Sequence, residues 1–218
     1  MKAKTDRELQ QDVMAELAWD PAVEASRVGV EVEDGIVTLA GHIESYAEKW
    51  AAERAAQRVA GVKGVAVELD VVLPGSTRRT DADIAKAVTS ALEWSIAVPR
   101  ERIKVRVEDG WVTLSGDVEW AYAREAAESC VRSLIGIKGV INNIEIRPKI
   151  SSDDVKEKIE AALQRRAHFD TKAITVAVSD GTVTLSGFVD SLAERDTIEH
   201  AAWNAPGVRK VLDNLTIG

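Results

Sequence analysis

Asp109-Gly110-Trp111-Val112-Thr113-Leu114-Ser115-Gly116 is the stretch that organises the chain, because it occurs three times. The other copies are Asp34-Gly35-Ile36-Val37-Thr38-Leu39-Ala40-Gly41 and Asp180-Gly181-Thr182-Val183-Thr184-Leu185-Ser186-Gly187. Twenty positions beyond each terminal glycine stands another, Gly61, Gly136 and Gly207. A two-residue Asp-Gly loop fits a type I′ hairpin, in which both central residues need positive φ. Before it come Val28-Val30-Val32, Ile103-Val105-Val107 and Ile174-Val176-Val178, whose period of two marks half-buried strands. With Asp109-Gly110 as the loop, Val107 faces Val112, Arg106 faces Thr113 and Val105 faces Leu114, so apolar meets apolar.

Working outward, each copy opens with a helix carrying an i, i+4, i+8 stripe: Leu9-Val13-Leu17, Ile84-Val88-Leu92 and Val155-Ile159-Leu163. The spacing predicts helices near 6–18, 81–94 and 152–166. Thr5 with Glu8, Thr80 with Asp83 and Ser151 with Asp154 have capping-box spacing, most closely the first pair. A second, alanine-rich helix is expected near 45–60, 119–134 and 191–204. Ser45 with Glu48 and Ser191 with Glu194 would cap it, while Trp120 stands where those serines do. A glycine stop and a third strand end each unit. The units fall at 1–73, 79–147 and 150–218. Two short linkers join them, so neighbours are expected to touch.

The order helix, strand, Asp-Gly turn, strand ending Val-Thr-Leu-x-Gly, helix, glycine, strand resembles the BON domain, named for bacterial osmotically inducible and nodulation proteins. Gly61-Val62-Lys63-Gly64-Val65, Gly136-Ile137-Lys138-Gly139-Val140 and Gly207-Val208-Arg209-Lys210-Val211 extend the likeness, although Lys210 replaces a glycine. The resemblance implies an α+β chain of three tandem α/β sandwich modules, each α-β-β-α-β, with two helices on one face of a three-stranded mixed sheet. It also implies a non-enzymatic binding module linked to phospholipid or envelope surfaces and to osmotic protection. A cytoplasmic family member binds potassium.

Composition sets further limits. The chain has 218 residues and a net charge of −8, with 45% hydrophobic and 29% charged residues. Residues 1–76 hold 8 basic and 14 acidic residues, 77–148 hold 11 and 11, and 149–218 hold 9 and 11. An acidic chain is a poor nonspecific nucleic-acid binder, so no nucleic-acid partner is expected. The N-terminal stretch lacks an apolar leader, which points to a cytoplasmic protein, or a periplasmic one were a leader removed. One cysteine, Cys130, excludes an intrachain disulfide. It lies on the alanine face of the second helix and reads as small buried filler.

Catalytic, metal and cofactor sites are not expected. His42, His168 and His200 occupy non-equivalent positions and read as solvated surface residues. The carboxylates beside the glycines serve turns. Gly35, Gly41, Gly61, Gly110, Gly116, Gly136, Gly181, Gly187 and Gly207 are structural turn positions.

The remaining signal is on the surface of the middle module. Arg102, Lys104 and Arg106 alternate with the apolar strand residues, and Trp94, Trp111 and Trp120 belong to the same module. Such cations near an anionic membrane are worth about 1 kcal/mol each, and tryptophan suits the headgroup level. An anionic phospholipid surface is thus the first expected partner, centred on these six residues. Alternatively this sheet face packs on a neighbouring module or is solvated. Trp19 and Trp94, ending equivalent helices, are expected to close the core, with a lipid-touching tip as the alternative. Other readings are a potassium ion held by backbone carbonyls between modules, and a protein partner at a sheet edge.

Overall fold

A computed structural model describes residues 4–147, 155–164 and 174–217. The first module comprises α1 (Asp6–Trp19), β1 (Val28–Glu33), β2 (Ile36–Ile43), α2 (Tyr46–Arg58) and β3 (Gly64–Val71). The second comprises α3 (Asp81–Trp94), β4 (Ile103–Glu108), β5 (Trp111–Val118), α4 (Ala121–Arg132) and β6 (Gly139–Ile146). The third comprises α5 (Val155–Gln164), β7 (Ile174–Ser179), β8 (Thr182–Val189), α6 (Leu192–Trp203) and β9 (Lys210–Ile217). In each sheet the middle strand of the sequence is the middle strand in space, antiparallel to the one before it and parallel to the one after. The chain is therefore three mixed three-stranded sheets, each with its helices.

Alternation in the strands becomes two faces. Val37, Leu39 and Ile43 of β2 are buried against Leu9, Val13 and Leu17 of α1 and against Ala51, Ala52, Ala55 and Ala56 of α2. The alanines let the helix lie close on the sheet, and the other modules repeat this with their own cores. The opposite face of each sheet is exposed or half-exposed and, among the described residues, carries no helix.

The hairpins form as the register requires. Glu108 pairs with Trp111, Val107 with Val112 and Val105 with Leu114. Asp34, Asp109 and Asp180 have φ of 51°, 50° and 47°, and all nine expected turn glycines have positive φ. At Gly116 the glycine is also needed for space, since a Cβ there would stand 1.9 Å from the Arg102 carbonyl oxygen.

In the first two modules the first helix anchors the hairpin through a residue the motif does not contain. Both oxygens of Asp81, the first residue of α3, accept backbone N–H groups of Asp109 and Gly110 at 2.9 Å. Asp6 does the same for Asp34 and Gly35.

Thr5 and Glu8 form the expected capping box. Several other expectations need correction. Ser45 and Ser191 cap their helices, but the partner glutamates reach past the cap: Glu48 accepts from Glu44 N–H and Glu24 N–H, and Glu194 from Asp190 N–H. The Ser151 cap lies outside the described residues, as do 152–154 and 165–166 of the third predicted helix. Trp120 is an N-cap with no side-chain bond. Trp19 and Trp94 do not close the core, being 82% and 90% exposed. Each stands two residues past the last buried leucine, which turns it about 200° around the helix. Val23 and Val98 close those ends instead. Cys130 is only half-buried, packed at the margin of the middle core.

Candidate functional site

The six surface residues singled out in the middle module divide between its two ends. Arg102 ends a short 3₁₀ turn, Arg100–Arg102, and Lys104 and Arg106 follow on the exposed face of β4. Six residues of strand span about 20 Å. Asp81 ties the start of α3 to the hairpin, so Trp94, 13 residues on, lies about 20 Å away at the other end. Trp120, beside Glu119, shares that far end, because Glu119 reaches Arg102 at 3.6 Å. Trp111 sits at the hairpin end.

Carboxylates neutralise the basic stripe. Arg102 contacts Asp117 at 3.3 Å as well as Glu119, and Arg106 pairs with Glu108 at 2.7 Å. Lys104 has no ion-pair partner among the described residues. Trp111, 45% exposed, leans across Gly139 on the neighbouring strand, where a Cβ would meet its ring at 2.3 Å. The indole thus covers a glycine that has no side chain to cover the sheet.

The far end is different. Trp94 and Ile96 both stand in solvent, with Trp120 39% exposed at the same end. Arg100, paired with Glu93 at 2.8 Å, and Arg102 flank them. Ile96 was not singled out in the sequence. Its signal was an apolar residue beside a tryptophan in a short loop, with no apolar stripe to join.

A second feature is the junction of the three modules. The second helices α2, α4 and α6 turn their alanines toward their own sheets and their other faces toward one another. One repeat position of each helix meets a residue of another helix. Arg132 of α4 stacks on Trp50 of α2, 3.7 Å from the ring centroid. Arg54 of α2 pairs with Asp196 of α6 at 2.8 Å. His200 of α6 contacts Glu125 of α4 at 3.1 Å, and Arg124 of α4 lies over Trp203 of α6 at 5.8 Å. Trp50, Glu125 and Asp196 are the same position in the repeat, so each helix offers its first half to the last half of another. The three contacts close a ring.

Tyr46 and Leu192, again one repeat position, insert into the neighbouring module: Tyr46 into the middle core, Leu192 into the first. A backbone bond from Gly61 N–H to the Asp190 carbonyl adds to the contact of modules one and three. A cleft of about 480 Å³ remains at the junction, lined in part by Trp50, Tyr122, Arg124, Arg132, Glu125 and His200. Burial raises the Glu125 carboxyl above its ordinary range, against the pull of His200, and lowers Arg132. His200 is therefore a partly exposed contact between modules. His42 is exposed, 4.0 Å from Asp70, and His168 lies outside the described residues. Among the described residues no cluster of histidine, cysteine and carboxylates is suited to a metal. No described helix is long and apolar enough to cross a membrane.

The BON-domain family model matches residues 5–72, 80–148 and 151–218. Osmotically-inducible protein Y of Escherichia coli (strain K12) is 30% identical over 146 residues, covering 65% of this chain and 73% of that protein. Among solved structures, CdsD, a structural protein of the type III secretion system of Chlamydia trachomatis, aligns at 15% identity and a TM-score of 0.27, covering 97% of this chain and 92% of that one. The PrgH periplasmic domain aligns at 14% identity and a TM-score of 0.22, covering 88% and 95%. Scores this low carry no argument about fold or function. Three matches to the family model, together with the relative, show that the chain belongs to the BON-domain family and carries the domain three times.

Proposed function

We propose that this chain is a non-enzymatic binding protein of osmotic or envelope stress that engages phospholipid surfaces through the far end of its middle module. The stress assignment rests on the related osmotically inducible protein. The observation that supports lipid as the ligand is the exposure of Trp94 and Ile96, two residues apart at a module tip, with Trp120 part-exposed at the same end. Large exposed apolar patches mark interaction sites on proteins. An indole suits the headgroup boundary, with an aliphatic group able to enter the acyl layer beyond it.

The geometry moves the weight of this reading from charge to insertion. Three unopposed cations would give roughly 3 kcal/mol on an anionic surface. Arg102 and Arg106 already face Asp117, Glu119 and Glu108, so most of that attraction is cancelled locally. Removing a large apolar side chain from water gives about 1.5–3 kcal/mol when burial is complete, and two such groups outweigh the residual charge.

Co-sedimentation with vesicles of phosphatidylcholine and phosphatidylglycerol at 3:1 tests this. The parent should pellet and its tryptophan emission should shift to the blue. Trp94→Ser with Ile96→Ser should abolish pelleting. Changing Arg102, Lys104 and Arg106 together to alanine should weaken it severalfold at most. A parent that stays in the supernatant refutes the lipid reading. A double variant that pellets like the parent refutes the site.

A further inference from the structure

We infer that the contact between modules two and three is a salt-sensitive seam, so that the three-module ring opens there as ionic strength rises. The three contacts of the ring are built from different materials. Between modules one and two, Tyr46 enters the middle core and Arg132 stacks on Trp50. Between modules one and three, Leu192 enters the first core, and a backbone hydrogen bond joins the Arg54–Asp196 pair. Between modules two and three the anchor position holds Ala121. Among the described residues, no side chain of either of these modules enters the core of the other. Among the described residues, the side-chain contacts across the seam are His200–Glu125 and the Arg124 guanidinium over Trp203, beside the open cleft.

The His200–Glu125 contact, an ion pair when the imidazole is protonated, and the apolar anchors respond differently to salt. Going from 0.1 M to 1 M shortens the screening length from about 10 Å to about 3 Å, comparable with the spacing of these groups. His200 and Glu125 are both more than a third exposed, so the solution reaches them. Anchors such as Tyr46 and Leu192 depend on burial and do not weaken by screening. Salt therefore loosens the seam that lacks an anchor and spares the two that have one. The cleft beside this seam holds the carboxylates Glu125, Glu128, Asp196 and Glu199 with the cations Arg54, Arg124 and Arg132. The result is an open arc of three intact modules.

The experiment uses the full chain and small-angle scattering. A compact chain of this length has a radius of gyration of about 17 Å, and swinging one module out should raise it by roughly a tenth. We expect that rise between 0.1 and 1 M KCl, with NaCl equivalent and with unchanged circular dichroism. Sucrose at matched osmolality should have no effect. His200→Ala should give the high-salt radius already at 0.1 M, with the melting transition of the modules retained. A radius independent of salt overturns the inference. So does a response to KCl that NaCl fails to produce, which would mean a specific cation site. An equal response to sucrose also overturns it, because screening would not be the cause. If His200→Ala loses its fold, the parent's salt and sucrose series decides alone.

Discussion

Replacing Asp81 with alanine should cut the middle hairpin loose from its helix. The two carboxylate oxygens accept the N–H groups of Asp109 and Gly110, each at 2.9 Å. A hydrogen bond to a charged acceptor contributes about 1.5–3 kcal/mol net when the donor is otherwise buried. Gly110 N–H is part-buried and keeps most of that, whereas Asp109 N–H is exposed and recovers much of its loss by binding water. The carboxylate also lies in the first turn of α3, which adds about 0.3–1 kcal/mol through the helix dipole. The sum is roughly 2–3 kcal/mol. Amide hydrogen exchange reads it directly: with about 1.4 kcal/mol per factor of ten, the Gly110 amide should exchange about 30- to 100-fold faster. Asp81→Asn keeps one acceptor oxygen and should lose about half of this free energy. Asp6→Ala should act likewise on Gly35. Equal exchange in the parent and Asp81→Ala, or equal effects of alanine and asparagine, would refute the anchoring role.

Gly116→Ala places a Cβ 1.9 Å from a backbone oxygen at φ +129°, so it should cost at least about 2 kcal/mol in denaturant unfolding. Gly75→Ala, with nothing within 4 Å, should stay within about 0.5 kcal/mol. Asp20 accepts the Ala22 N–H and pairs with Arg58, and both hold its carboxyl below the ordinary range. A lowered folded-state value means stability that is present above about pH 4 and lost as pH falls through the lowered value. The denaturation midpoint of the parent should therefore approach that of Asp20→Asn on acidification from pH 5 to 2. A gap that does not narrow would remove Asp20 from the acid response.

The fold was legible in the residues because its signals are local and occur three times. Helix stripes at Leu9-Val13-Leu17, strand alternation at Val28-Val30-Val32 and the Asp-Gly loops each depend on neighbours within one element or one turn. Repetition turned these modest signals into a specific pattern. The turn register followed as well, since shifting Val105 from Leu114 by one residue would expose a whole apolar face. The side on which Arg102, Lys104 and Arg106 lie was legible for the same reason.

Tertiary structure decided what those residues meet. No periodicity in β4 says that Asp117 and Glu119, from the end of the next strand, will reach Arg102. The outward turn of Trp94 was encoded in its offset from Leu92, but a terminal tryptophan reads equally well as a core plug until Val98 is seen in that place. Asp81 lies 28 residues before the amide it holds. Least legible was the ring. Trp50, Glu125 and Asp196 are one repeat position with three unlike side chains, which in a single module read as ordinary solvated variation. Their partners, Arg132, His200 and Arg54, lie on other modules, and only the packing of three separately folded units brings each pair together. Sequence thus fixes what neighbours along the chain decide, whereas charge pairing between modules depends on distances that only the assembled chain supplies.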